Sequence, residues 1–285
     1  MSRRPDSGPV RYPFPTRPPW PPEHGAWFAF LINFALGACL SPHPSGGLPL
    51  LFFALLAFFL ARYPVLLIAM RWPYRHLQPS FFFRERIQWS LAWIILGFFF
   101  GGALLSAFNV GTLAPLAVIW VAAMGFEIWA VQRRQQKTAL SESIGIGALS
   151  LTAVAAYSLG EGSIAAPAVL LGLVTMAYHV QAVFYVRMRI RALSGKHAFT
   201  AWRERIRFAP GNLSALTIIW LALAGGVMFR AVPPLLMVAF IPMTARALYG
   251  IGRLGSPTAV RRLGLSEVAL SIVFSGLVLY TLGQG

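Results

Sequence analysis

The chain has 285 residues, of which 57% are hydrophobic and only 11% charged, a balance that excludes an ordinary soluble domain. Its formal charge is +16, but the Lys and Arg residues are dispersed over short segments between apolar runs, which excludes the contiguous basic footprint of a nucleic-acid-binding protein, so no nucleic-acid partner is expected. One cysteine, Cys39, excludes an internal disulfide framework.

The first 22 residues contain Pro5, Pro9, Pro13, Pro15, Pro18, Pro19, Pro21 and Pro22, a density that prevents helix and predicts a disordered cytoplasmic tail. Residues 23–285 are expected to form a single transmembrane domain. A hydrocarbon core of roughly 30 Å takes about 20 helical residues to cross. Apolar runs of that order cover residues 26–40, 48–70, 87–107, 112–131, 143–159, 164–188, 213–229, 233–249 and 266–282. The fold class predicted is all-α: a polytopic transmembrane bundle of about nine helices. The first run is the shortest. Leu36-Gly37-Ala38-Cys39 at its end also reads as a lipoprotein cleavage site, which would remove the first helix and lipidate Cys39; the long proline-rich leader speaks against it. Pro233, Pro234 and Pro242 are placed to interrupt the eighth run.

Loops retained in the cytoplasm carry an excess of Lys and Arg. Arg3, Arg4, Arg11 and Arg17 precede the first run, Arg71, Arg75, Arg84 and Arg86 follow the second, and Arg133, Arg134 and Lys137 follow the fourth. Arg187, Arg189, Arg191, Lys196, Arg203, Arg205 and Arg207 follow the sixth, and Arg246, Arg253, Arg261 and Arg262 surround the end of the eighth. On the other side stands Arg230, while Arg62 lies within the second run. This asymmetry predicts a cytoplasmic amino terminus, an outside carboxyl terminus and a multi-pass protein of a bacterial cytoplasmic membrane. The partner that suits such a surface is the anionic inner leaflet, to which each nearby Lys or Arg adds about 1 kcal/mol.

The stretch Pro22-Glu23-His24-Gly25-Ala26-Trp27 is the most distinctive in the chain. Together with Arg62-Tyr63-Pro64, Arg187-Met188-Arg189 and the run from Ile241-Pro242 to Arg246, it resembles the YwiC-like family of bacterial membrane proteins, over about residues 21–275. That resemblance implies a membrane bundle and no particular activity. More distantly, the helix number and the long cytoplasmic connections after the second and sixth runs are similar to intramembrane aromatic (UbiA-type) prenyltransferases. That likeness implies magnesium held by aspartate-rich motifs in those connections, yet Asp6 is the one aspartate present, and the two connections offer only Glu85 and Glu204. A phosphate there would have to be held by arginine directly.

Polar groups within a membrane segment are costly unless paired or functional, so they mark candidate sites. The candidates for ligand binding are Glu23, His24, Asn33, Arg62, Tyr178, Gln181, Arg187 and Arg246, collected in a cytoplasm-facing cavity. Those for proton transfer are His24, Glu127 and His179. Glu127 needs a cation, and Arg62 and Arg246 are both in reach of that role; a buried pair of this kind fixes packing as readily as it does chemistry. Glu142 and Glu267 sit where first helical turns are expected, which suits capping and the helix dipole. His179 reads equally as a proton carrier and as a bond between helices. Residues 194–209 alternate charge with Phe199, Trp202, Ile206 and Ala209 and are expected to lie flat on the membrane.

No phosphate loop, dinucleotide fingerprint, zinc pair or nucleophile elbow is present, so the sequence calls for no cofactor and no metal. Three readings stay open: binding of an isoprenoid or anionic lipid, prenyltransferase-like catalysis on such a lipid, and proton-coupled transport. The oligomeric state is not encoded in any of these features.

Overall fold

The computed structural model describes residues 18–77, 80–108, 110–194, 199, 201–256 and 260–284. Residues 1–17 of the proline-rich tail therefore lie outside the described residues. Only a helix or a closed barrel satisfies its own backbone in hydrocarbon, and the apolar runs form helices. In chain order these are α1 (His24–Leu40), α2 (Leu48–Arg71), α3 (Ser80–Ala107), α4 (Ala114–Gln132), α5 (Ala139–Glu161), α6 (Ala166–Ser194), α7 (Trp202–Phe208), α8 (Pro210–Met228), α9 (Leu236–Ala239), α10 (Ile241–Gly252) and α11 (Val260–Leu282). There is no strand among the described residues.

Seven helices, α2 to α6, α8 and α11, are long and apolar enough to cross a membrane. The other two runs predicted as spans are shorter apolar helical stretches: α1 has 17 residues, and the eighth run is split between α9 and α10. The split falls at Phe240, because Pro242 in the first turn of α10 has no N–H to continue the α9 ladder and its ring crowds the carbonyl four residues back. Three helices run at least six residues further at their charged ends than their apolar windows predict. α3 begins at Ser80 instead of residue 87, α6 continues to Ser194 instead of 188, and α11 begins at Val260 instead of 266. Arginine is a good helix former whose aliphatic stem stays against apolar surface, so charge alone does not end a membrane helix.

α1 and α5 run side by side in parallel, joined at three successive turns. Asn33 Nδ2 donates to the Leu149 carbonyl at 3.3 Å, Gly37 lies flat against the Ala153 backbone, and Ser41 Oγ donates to the Tyr157 carbonyl at 3.1 Å. A Cβ on Gly37 would overlap the Ala153 carbonyl. Small residues at this spacing let membrane helices meet backbone to backbone, where dispersion and interhelical bonds hold them. α5 ends cleanly at Gly162, whose φ of 75° is the left-handed conformation that closes a helix.

α2 and α3 form an antiparallel hairpin, with the Phe58 ring over Gly97 and Phe53 stacked on Phe100 at 5.3 Å. α6 and α8 to α11 share a second core in which Tyr178 stacks on Phe274 at 4.0 Å and Phe240 meets Phe274 edge-on at 5.4 Å. Gly283 lies against Leu40, so the described end of the chain is at the end of α1 remote from His24. α3, α4 and α8 turn Phe98, Phe99, Val118, Val121, Ile218 and Leu221 outward, a surface suited to lipid tails. Of the segment expected to lie flat, residues 195–198 and 200 are outside the described residues; α7 turns Trp202 and Ile206 outward, while Arg205 ties it to the Gly252 carbonyl.

Candidate functional site

One face of α5 organises the polar residues at the arginine-rich end of the bundle. Thr138 caps this helix by accepting the Ser141 N–H at 3.2 Å. Glu142 lies in the first turn of α5 as expected, and its carboxylate pairs with Arg187 at 2.9 Å. The same guanidinium donates to the Lys137 carbonyl at 2.6 Å, which ties the end of α6 to the start of α5.

The next level is set by Gly145. Arg62 of α2 donates from Nε to Glu127 Oε2 at 2.6 Å and from Nη2 to Oε1 at 2.7 Å, a two-pronged bond to a carboxylate of α4. Of the two cations in reach of Glu127, Arg62 is therefore its partner. The pair is pressed onto α5, where a Cβ on Gly145 would overlap the Glu127 carboxylate and sit 3.4 Å from Arg62 Nη2. The remaining arm of the guanidinium, Nη1, reaches Glu23 at 3.4 Å. Side-chain exposure falls from 58% at Glu23 to 19% at Arg62 and 8% at Glu127, so the cluster descends from the surface into the bundle.

Further along the same face of α5, Asn33 donates to the Leu149 carbonyl and its Oδ1 lies 3.2 Å from His179 Nε2. With the amide nitrogen of Asn33 engaged as donor, its oxygen only accepts, which places the His179 proton on Nε2. From Glu142 to Leu149 is seven residues, about 10 Å of helix. Beyond that level the Gly37–Ala153 contact closes the face.

The structure thus brings Glu23, Asn33, Arg62, Glu127, His179 and Arg187 to one side of the bundle. It does not bring all the candidates together. Tyr178, Gln181 and Arg246 belong to a separate group toward α8, α10 and α11: the Tyr178 hydroxyl bonds Ser271 at 3.3 Å and Gln181 Nε2 donates to Asn212 at 2.9 Å. Arg246 is ion-paired with Glu267 and lies over the Tyr185 ring at 4.0 Å. Glu267 is not in a first turn, because α11 starts seven residues before it; it is an internal carboxylate held by a cation. A single cavity collecting the whole set is replaced by two polar groups on different faces of α6. His24 is exposed beside Glu23.

The open space lies elsewhere. A groove of about 470 Å³ runs between α1 and α11, lined by Phe28, Leu31, Ile32 and Ala35 on one side and Ile272, Ser275, Gly276 and Leu279 on the other. His24 stands one helical turn before Phe28 on the same face, at the arginine-rich mouth of this groove. Among the described residues no three His, Cys, Asp or Glu side chains converge as a metal site would require.

The Pro22–Trp27 stretch and Arg62 meet at one end of the α1–α5 pair, and that part of the chain is where a comparison with known families answers. Residues 20–157 match the family model of the YwiC-like proteins. The resemblance read from the motifs is shown over that stretch, which holds α1 to most of α5, and with them the Glu23–Arg62–Glu127 cluster and the Asn33, Gly37 and Ser41 contacts. His179, Arg187 and Arg246 lie beyond it. Comparison with curated proteins and with solved structures yields no match.

Sequence reasoning missed several partners. Asn212 is one: nothing in the Pro-Gly-Asn start of α8 marks it in the sequence, yet it is buried there and accepts from Gln181. Arg189, which donates to the Gly250 and Arg253 carbonyls at 3.2 and 2.8 Å and so closes the end of α10, reads in the sequence as one more surface arginine. The spacing Asn33, Gly37, Ser41 was the visible signal for the α1–α5 contact.

Proposed function

We propose that this chain is a multi-pass protein of the bacterial cytoplasmic membrane that holds a lipid chain, isoprenoid or acyl, in the groove between α1 and α11, with its polar head at the cytoplasmic mouth near His24. The amino terminus is inside and the carboxyl terminus outside, with α1 and the α9–α10 stretch crossing alongside the seven longer helices. The arginine distribution supports that orientation. The observation that carries the binding reading is the groove itself: a cleft lined by apolar side chains between two membrane helices, within the volume range of ordinary ligand sites. In a bilayer such a space fills with hydrocarbon, and His24 at its mouth offers a polar group at head-group depth.

Two other readings have less support. The polar face of α5 reaches His179 from one side and is closed beyond it by the Gly37–Ala153 contact, which favours binding from the cytoplasm over proton-coupled passage. Prenyl transfer would need a diphosphate to be neutralised, whereas Arg62, Arg187 and Arg246 are each engaged by a carboxylate of the chain.

Native mass spectrometry of protein gently extracted from its own membrane tests the reading. A lipid retained at one per chain is expected. Gly276→Phe, which adds a ring where a Cβ meets open space, should abolish that retention while leaving the fold intact. Retention of the same lipid by Gly276→Phe removes the groove as its site.

A further inference from the structure

We infer that Arg62 is the receptor for a monoanionic group, a phosphodiester or a carboxylate, and that Glu23 is its internal stand-in, displaced when that group arrives. The inference goes beyond the groove reading above, because Arg62 lies on the α2–α5 side of α1 and the groove on the α11 side.

The guanidinium of Arg62 has two unlike edges. Nε and Nη2 are locked onto the buried Glu127 carboxylate at 2.6 and 2.7 Å, and Gly145 leaves room for that pair against α5. This edge fixes the plane and direction of the group. The other edge, Nη1, points outward to Glu23 at 3.4 Å, a long contact for a charged pair. A rigidly held donor with a weakly held partner is a preorganised anion site.

Glu23 is placed for this contact and not for its own helix. It is the residue preceding α1, yet its side chain makes no capping bond. The backbone around it is braced independently: Trp27 Nε1 donates to the Pro21 carbonyl at 3.1 Å, and the Trp20 and Trp27 rings meet at 5.7 Å. The carboxylate is 58% exposed, so it moves to water without moving the chain.

Charge selects the ligand. One guanidinium between two carboxylates leaves a net charge of −1. Replacing Glu23 by a monoanion leaves the site unchanged in charge, whereas a prenyl diphosphate brings several charges to a site with one cation and the fixed Glu127 beside it. The chemistry fits a phospholipid-like head or a carboxylate and disfavours a diphosphate. The same group could come from a lipid or from the cytosol, so the test separates the two.

The decisive variant is Glu23→Gln, an exposed change that keeps the fold. Two probes are titrated into detergent-solubilised protein: dimethyl phosphate, a phosphodiester without chains, read by the guanidinium resonances of nitrogen-15 arginine-labelled protein, and short-chain phosphatidylglycerol against phosphatidylcholine, read by native mass spectrometry. Removing the internal competitor should tighten both phosphodiester monoanions by roughly two- to fivefold, the range set by an exposed ion pair, with phosphatidylcholine gaining less. Tightening of dimethyl phosphate alone supports the anion site with a soluble source and leaves the groove to its own test, Gly276→Phe. Phosphatidylglycerol and phosphatidylcholine retained equally, with Glu23→Gln without effect, overturns the anion site and leaves the groove reading standing. Weaker binding of either anion to Glu23→Gln also overturns it.

Discussion

Both oxygens of Glu127 are bonded by one guanidinium, that of Arg62, so two helices that are not neighbours in sequence are joined through a buried two-pronged pair. A pair of this kind contributes little against a well-packed apolar replacement, but breaking it strands a charge.

Arg62→Met or Glu127→Met alone is therefore expected to destabilise the protein by about 3–5 kcal/mol, and the double substitution by clearly less than the sum. Thermal unfolding in detergent of the four proteins of this cycle measures it. Additive losses would mean that the two side chains are not paired.

Glu142 and Arg187 make a contrasting case. Their side chains are 36% and 30% exposed, so Glu142→Gln should cost no more than about 1 kcal/mol. The same unfolding assay, run beside Glu127→Gln, ranks the two carboxylates; an equal loss would contradict the difference in burial.

Gly145→Ala should be harmful only while Glu127 is present, because the added methyl meets that carboxylate. In a Glu127→Ala background the same change should be nearly neutral or helpful, since helix interiors prefer Ala to Gly by roughly 0.5–1 kcal/mol. Stability of the single and double variants decides it.

Gly37→Leu is expected to separate α1 from α5, since no rotamer avoids the Ala153 carbonyl. Loss of the monodisperse peak in size-exclusion chromatography is the expected result, while Ala35→Leu, one residue pair away on the exposed groove side, should leave that peak in place.

The orientation is tested by single cysteines in a Cys39→Ser background. Ser163→Cys, between α5 and α6, should react with an impermeant thiol reagent added to intact cells, and Gln135→Cys, between α4 and α5, only after the membrane is opened. The reverse pattern would invert the topology.

What the linear sequence determined is what depends on local composition: helices wherever apolar runs are long, the interruption at Pro242, and the gathering of arginines into alternate connections. These follow from solvent and backbone alone, because in hydrocarbon a helix is the form in which a single apolar segment satisfies its backbone without a partner strand. The need of Glu127 for a cation was also legible, since an unpaired carboxylate at that depth is too costly to persist. Which cation answered was not. Arg62 and Arg246 are equivalent by type, and only the packing of α2 beside α4 and of α10 beside α11 gave Glu127 to the first and Glu267 to the second. In the same way Glu142 and Glu267 look alike as residues near helix starts. Glu142 does lie in the first turn of α5, whereas the earlier beginning of α11 makes Glu267 internal, and both carboxylates pair with arginines on other helices. The division of the polar residues into two groups, and the position of the open groove on the far side of α1, were decided by tertiary structure. Both depend on which faces of α1 and α6 are covered, and that is a property of neighbours distant in the chain.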